Sequence, residues 1–179
     1  GFAIPFYLVH PRLMRLEKAY MLEFDGNTSE SRMKLLRHET AHALANAYRL
    51  HLKQSWRRRF GRASKAYPES YLPRPYSRNY VLHLDNWYAQ SHPDEDFAET
   101  FAVWLTPRSA WRKRYKGWPA MQKLRYMDRI ARRFGNVDPI VGQGDTDITV
   151  EEMELTVEEF YRQVLDQNRA AVDLAMEGD

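Results

Sequence analysis

The segment His38-Glu39-Thr40-Ala41-His42 carries residue types at a spacing that suits metal-assisted chemistry. Residues four apart lie on one face of an α-helix, so the imidazoles of His38 and His42 can bind one ion at about 2.0–2.1 Å. Glu39 follows the first histidine directly and can accept a proton from water that the ion activates. Apolar residues flank the segment on both sides, which favours a packed helix over a chance pair of surface histidines. The segment therefore predicts a zinc site with Glu39 as the general base.

A third metal ligand must come from another part of the chain, and it must be a histidine or a carboxylate because cysteine is absent. His51 lies nine residues after His42, off the required face of a straight helix, which indicates a surface residue. The segment Asp94–Ala102 is the better source, because Glu95 and Glu99 lie one helical turn apart. Glu95 can then bind the ion while Glu99 hydrogen-bonds a ligand imidazole. The helix macrodipole alone would favour acids in the first turn, but it accounts less well for Glu99 in an apolar stretch.

Together, the segments His38–His42 and His92–Ala102 resemble the family called "putative zinc-binding metallopeptidase", a bacterial group of zincin type. More broadly they resemble gluzincins, in which a glutamate on a second helix completes the zinc site. The resemblance spans about residues 4–104. It implies zinc ligands at His38, His42 and Glu95, a catalytic base at Glu39, and a hydrogen-bond partner of a ligand imidazole at Glu99. Many members of the family also carry an N-terminal zinc ribbon rich in cysteine, which this sequence does not contain.

Tyr88 has two interpretations. Gluzincins of the lethal-factor type have a catalytic tyrosine seven residues before the liganding glutamate, and Tyr88 stands at that position. A phenol beside the metal could donate a hydrogen bond to the oxyanion that forms when water attacks a peptide carbonyl, worth about 3 kcal/mol. The alternative is aromatic packing, which most of the 11 tyrosines must serve. The spacing favours the catalytic interpretation.

We predict an α+β fold that is mostly helical, and the resemblance implies a zincin-like metalloprotease fold with a small sheet. Runs of aromatic and aliphatic residues predict short strands at 3–9, 20–24 and 80–85. Thr28 or Ser29 caps a first long helix, which carries the two histidines and ends at about Leu52. Ser91 caps a second long helix over about residues 92–105. Further helices are predicted at 110–115, 119–134 and 157–176.

Charge divides the chain into two regions. The net charge is +3, but residues 144–179 hold 11 acidic and two basic residues, a net −9 that leaves +12 on residues 1–143. We predict a zincin-like catalytic domain over 1–143 and an acidic C-terminal helical segment over 144–179, packed on the same domain. Basic runs at 53–65 and 108–133 favour a solvated helix face, with a phosphate-binding surface as the alternative.

No apolar run approaches the roughly 20 residues that cross a bilayer, and the apolar start is too short for a secretory signal. We therefore expect a cytoplasmic bacterial protein with no membrane partner. The chain begins without Met, which indicates a fragment or a processed form.

The predicted function is that of a zinc-dependent metallopeptidase acting on a peptide or protein substrate, which an exposed strand edge at 20–24 or 80–84 would hold. Two alternatives stay open. One is a metallopeptidase-like regulatory protein that binds nucleic acid or a protein partner, and the other is a metal-stabilised interaction module without turnover. Histidine and carboxylate ligands also accept divalent ions other than zinc. The sequence does not indicate an oligomeric state.

Overall fold

All regular secondary structure in the described part of the chain is helical. The computed structural model describes residues 6–20, 28–142 and 154–177, and within these ranges no residue lies in a β-strand. The predicted α+β architecture, a zincin-like fold with a small sheet, is therefore wrong. The α-helices of the described ranges are α1 (Pro11–Tyr20), α2 (Ser29–Ala47), α3 (Gln54–Phe60), α4 (Pro93–Leu105), α5 (Trp111–Arg114), α6 (Met121–Phe134) and α7 (Val157–Glu177). Short 3₁₀-helices lie at Phe6–Val9, Leu50–Leu52 and Tyr88–Gln90.

The predicted strand at 80–85 is an irregular segment whose backbone donors bind side chains instead of a neighbouring strand. The amide of Leu82 donates to the hydroxyl of Tyr115 at 3.2 Å. The amide of Leu84 donates to Oε2 of Glu99 at 2.8 Å. These side-chain acceptors satisfy donors that a sheet would otherwise pair.

Only parts of the other two predicted strands lie among the described residues. Residues 6–9 of the predicted strand at 3–9 form a 3₁₀-helix, and residues 3–5 lie outside the described residues. Tyr20 of the predicted strand at 20–24 is the last residue of α1, and residues 21–24 also lie outside. Helix α1 itself was not predicted.

Helix α2 begins at a reciprocal cap. The hydroxyl of Thr28 accepts from the amide of Ser31 at 3.0 Å, and the hydroxyl of Ser31 accepts from the amide of Thr28 at 3.0 Å. This arrangement satisfies two of the donors that a helix start leaves unpaired. The helix ends at Ala47, earlier than predicted, because Arg49 adopts a left-handed backbone conformation with φ 48°.

Helix α4 is capped by a histidine. Nδ1 of His92 accepts from the amide of Asp94 at 3.2 Å, and Pro93 occupies the first helical position, where no amide hydrogen is needed. The hydroxyl of Ser91, the predicted cap, donates instead to the carbonyl of Tyr88 at 2.8 Å. The predicted helix is thus present, but its first residue and its cap lie one position further along the chain.

Helices α2 and α4 pack closely because small residues face each other. Ala41 on α2 and Ala98 on α4 have no exposed surface, so the two backbones can approach. Phe97 then packs against the rings of Trp56 and Phe60, with centroids 5.9 and 5.4 Å away. This core fixes the relative position of the helices that carry the two predicted motifs.

The chain divides into two compact units. In the described residues, the first unit comprises 28–142, and the second comprises 6–20 and 154–177. Within the second unit, the hydroxyl of Tyr161 on α7 donates to Glu17 on α1, and the rings of Tyr20 and Tyr161 lie 5.3 Å apart. The domain boundary between residues 143 and 144, and the packing of the acidic segment on the catalytic domain, stay predictions.

The sequence also predicts two capping boxes near the C-terminus, at Thr149/Glu152 and at Thr156/Glu159. Thr156 and Glu159 form one, since the amide of Glu159 donates to the Thr156 hydroxyl at 3.2 Å and the amide of Thr156 donates to the Glu159 carboxylate at 2.8 Å. The pair at 149 and 152 lies outside the described residues. None of the described helices combines the length and the apolar character that crossing a membrane requires.

Candidate metal centre

Three predicted ligands converge at the contact between α2 and α4. Nε2 of His38 lies 3.0 Å from Oε2 of Glu95 and 3.1 Å from Nε2 of His42. Nε2 of His42 lies 3.4 Å from the same oxygen of Glu95. His38 and Glu95 are buried, whereas His42 is partly exposed. The three atoms thus form a small triangle, and His42 at one corner is the partly exposed residue.

This triangle fits a metal ion better than it fits hydrogen bonding. Nε2 of His38 carries at most one hydrogen, and that hydrogen cannot form a hydrogen bond with Glu95 and with His42 at the same time. A single cation accepts a lone pair from each of the three atoms. Ligands that bind zinc tetrahedrally at about 2.0–2.1 Å stand about 3.3–3.4 Å from one another, close to the separations found here.

Glu99 orients the first histidine. Its Oε1 lies 2.9 Å from Nδ1 of His38, and its Oε2 accepts from the amide of Leu84. Glu99 has no exposed surface, so its carboxylate has little freedom to turn away. With Nδ1–H donating to Glu99, the lone pair of His38 Nε2 points toward the triangle, an arrangement common around metal-binding imidazoles.

The close approach of these ionisable groups shifts their pKa values in the metal-free site. Burial by itself lowers the pKa of His38, but hydrogen bonds with Glu95 and Glu99 and their negative charges raise it to about 9. Burial also acts to raise the pKa of Glu95, but hydrogen bonds from His38, His42 and Tyr67 hold it well below its ordinary value. The metal-free site therefore contains an imidazolium against an ionised carboxylate.

Tyr88 and Glu39 lie beside the predicted ligands. The ring of Tyr88 is 5.7 Å from the ring of His38. Burial, followed by the charge of Glu95, raises the pKa of Tyr88 to about 12, and the charge of Glu39 contributes in the same direction. Glu39 is partly buried and makes no hydrogen bond to another described side chain. Both groups are thus near the triangle without being part of it.

Tyr67 also contacts the site, although no pattern in the sequence indicated it. Its hydroxyl donates to Oε1 of Glu95 at 2.7 Å, the oxygen that the histidines do not face. Its ring stacks on His92 at 3.8 Å, and Nε2 of His92 donates to the carbonyl of Lys65 at 2.7 Å. Tyr67 stands in a proline-rich loop, where no periodicity relates it to Glu95, so only the three-dimensional structure reveals this contact.

His51 is not part of the triangle. It is partly buried and lines a cavity beside His42. Among the described residues, the group that could hold a metal consists of His38, His42 and Glu95.

These observations define a candidate metal centre built from two histidines of one helix and a glutamate of another. A family model described as "Putative zinc-binding metallo-peptidase" matches residues 31–134, which is more than half of the chain and includes both helices. The chain therefore belongs to this family, and zinc is the cofactor that the family description and the donor atoms share. Neither the curated proteins nor the solved structures contain a significant match to the chain.

Proposed function

We propose that the protein is a zinc-dependent peptidase of the gluzincin type, with zinc held by His38, His42 and Glu95. The observation that carries this proposal is the triangle of donor atoms, because its three contacts cannot all be hydrogen bonds when each ring nitrogen carries at most one hydrogen. The family description supports the same reaction class. A glutamate from the second helix as third ligand is the feature that relates the site to gluzincins.

The residues around the triangle have separate roles in this proposal. Zinc, when bound, supplies a Lewis acid that lowers the pKa of water and polarises a carbonyl oxygen. Glu39 accepts the proton of the attacking water and passes it to the leaving amine. Glu99 holds the His38 ring in the tautomer that leaves Nε2 free. Tyr67 holds Glu95 through the oxygen that does not face the histidines.

Tyr88 stabilises the charge that develops on the substrate. Its phenol lies next to His38, and a phenol is protonated at neutral pH. The phenol can therefore donate a hydrogen bond to the carbonyl oxygen of the scissile bond as that oxygen becomes negative. The extended strand edge predicted at 80–84 is not a strand, so we assign it no role in holding the substrate.

A peptide library tests the proposed function. The zinc-loaded protein should cleave members of the library, a chelator should abolish cleavage, and added zinc should restore it. Glu39→Gln should retain zinc but lose cleavage by about 100-fold or more, because the base is gone. Glu30→Gln is the matched control, since Glu30 is an exposed carboxylate on the same helix. Absence of cleavage by the zinc-loaded protein, or full activity of Glu39→Gln, would contradict the proposal.

A further inference from the structure

A cavity of about 580 Å³ adjoins the candidate metal centre. His42, one of the three proposed ligands, forms part of its wall. Ala45 and Phe97 also line it, and the exposed side chain of Leu52 contributes apolar surface. The cavity is large enough for one side chain of a peptide, and its position next to His42 places that side chain close to the site of reaction.

Two arginines give the wall of this cavity a positive charge. Arg57 on α3 and Arg62 just after α3 both line it. In the described part of the chain, neither guanidinium group has a carboxylate within 4.0 Å. Nε of Arg57 donates to the carbonyl of His51 at 3.4 Å, which leaves the terminal nitrogens of that guanidinium available.

Asp94 also lines the cavity but does not neutralise the arginines. Its carboxylate lies 3.7 Å from Nδ1 of His92, at the start of α4. Two guanidinium groups against one carboxylate leave an excess of positive charge, which a bound metal ion increases. Such a wall favours an anionic group over a neutral one, and planar guanidinium groups match a carboxylate in particular.

We infer that this cavity is a subsite for a carboxylate of the substrate, bound by Arg57 and Arg62. The inference rests on the proposed peptidase function and names its substrate class: peptides with an acidic residue, or a free C-terminal carboxylate, near the scissile bond. The apolar side chain of Leu52 accommodates the methylene groups that lead to the carboxylate. A nucleic acid fits this feature less well, because it contacts an extended surface through many phosphates, whereas this cavity is concave and holds one group.

Matched peptides test the subsite. One set carries Glu, Gln or Lys at each position around the scissile bond, and a second set compares a free C-terminus with an amidated one. The zinc-loaded protein should cleave the peptide with the preferred carboxylate about tenfold better, measured as kcat/KM, than its amide counterpart. Loss of the preference on Glu→Gln identifies an acidic side chain as the source, and loss on amidation identifies the C-terminus.

Variants assign the preference to the arginines. Arg57→Gln and Arg62→Gln should each reduce kcat/KM for the acidic peptide several-fold more than kcat/KM for the neutral peptide. Arg57→Glu should favour the lysine peptide instead. Arg58→Gln is the matched control, because Arg58 is exposed on the same helix and does not line the cavity. All four variants are compared after thermal unfolding has shown that they are folded.

A binding measurement separates failure of the subsite from failure of the peptidase. Fluorescent acidic and amide peptides are titrated into zinc-loaded Glu39→Gln, which does not depend on turnover. Tighter binding of the acidic peptide, lost in the variants that also carry Arg57→Gln or Arg62→Gln, supports the subsite even if the wild-type protein cleaves nothing. Equal binding of both peptides would overturn it. The subsite would also be overturned if binding of a single-stranded oligonucleotide depended on these arginines while binding of the peptides did not.

Discussion

Nδ1 of His38 lies 2.9 Å from Oε1 of Glu99, a carboxylate with no exposed surface that is 61 positions away in the sequence. The other oxygen of the same carboxylate accepts from the amide of Leu84. Glu99 therefore connects α2, α4 and the irregular segment at 80–85 at the point where the metal ligands converge. This relationship gives the site its rigidity before any metal binds.

Glu99→Gln tests this connection. The amide has no negative charge to attract the Nδ1–H of His38, so the ring is held less firmly and zinc affinity should fall by about ten- to a hundredfold. Competition with a chromophoric chelator measures the change. Glu30→Gln should leave the affinity unchanged, and an unaltered zinc affinity in Glu99→Gln would show that the buried carboxylate does not orient the ligand.

Tyr67→Phe should weaken zinc binding while leaving the fold intact. The change removes only the hydroxyl that donates to Oε1 of Glu95, and the ring can still stack on His92. We expect a loss of about tenfold in zinc affinity, together with a changed absorption spectrum of the cobalt-substituted protein. Tyr76→Phe is the control, because Tyr76 lies in the same loop and is 85% exposed. Identical spectra and affinities in both variants would contradict the role of Tyr67.

Zinc binding should release a proton near neutral pH. In the metal-free protein the pKa of His38 is raised to about 9, so its ring is protonated, and zinc must displace that proton to bind Nε2. Zinc affinity should therefore rise with pH up to about 9. Calorimetry at pH 7.5 in buffers of different ionisation enthalpy should detect about one proton per zinc ion, and a heat independent of the buffer would contradict this account.

The raised pKa of His38 also makes the stability of the metal-free protein depend on pH, and this stability should fall where zinc affinity rises. The folded-state pKa of His38 lies above its ordinary value of 6.5, so the interaction with Glu95 and Glu99 contributes fully below that value. Its contribution is lost as the pH rises through about 9. Metal-free protein should thus lose stability over the pH range in which zinc affinity increases, which urea unfolding at several pH values would detect.

Phe97→Ala should destabilise the protein by about 3–5 kcal/mol, because it leaves a cavity between α3 and α4. Phe97 is 1% exposed and packs on Trp56 and Phe60. It also lies between Glu95 and Glu99 in the sequence, so the zinc affinity should fall together with the free energy of unfolding. Leu72→Ala, at a position 95% exposed, should change neither by more than about 0.5 kcal/mol. Chemical unfolding and chelator competition measure the two effects.

Helical periodicity was sufficient to predict which of these side chains share a helix face. His38 and His42, and likewise Glu95 and Glu99, are one helical turn apart, and helical periodicity alone places each pair on one face. Both helices are present, and the structure brings three of these side chains to one point. Local patterns were reliable here because each pair lies within a single element.

Contacts between distant segments were not predictable in the same way. The runs of apolar and aromatic residues at 80–85 favoured a strand, but the segment pairs with Tyr115 and Glu99, which its own sequence does not reveal. Tyr67 reaches Glu95 only because His92 holds its loop against the start of α4. Tertiary contacts decided both outcomes, and they overrode the local preference of the chain.

We propose that α2 and α4 hold one zinc ion between His38, His42 and Glu95. A crystal structure of the zinc-loaded protein, with anomalous diffraction data collected at the zinc absorption edge, would locate the ion. We expect one strong anomalous peak at about 2.0–2.1 Å from Nε2 of both histidines and from the Glu95 carboxylate. A zinc ion bound elsewhere in the chain, or no ion at this position in protein saturated with zinc, would contradict it.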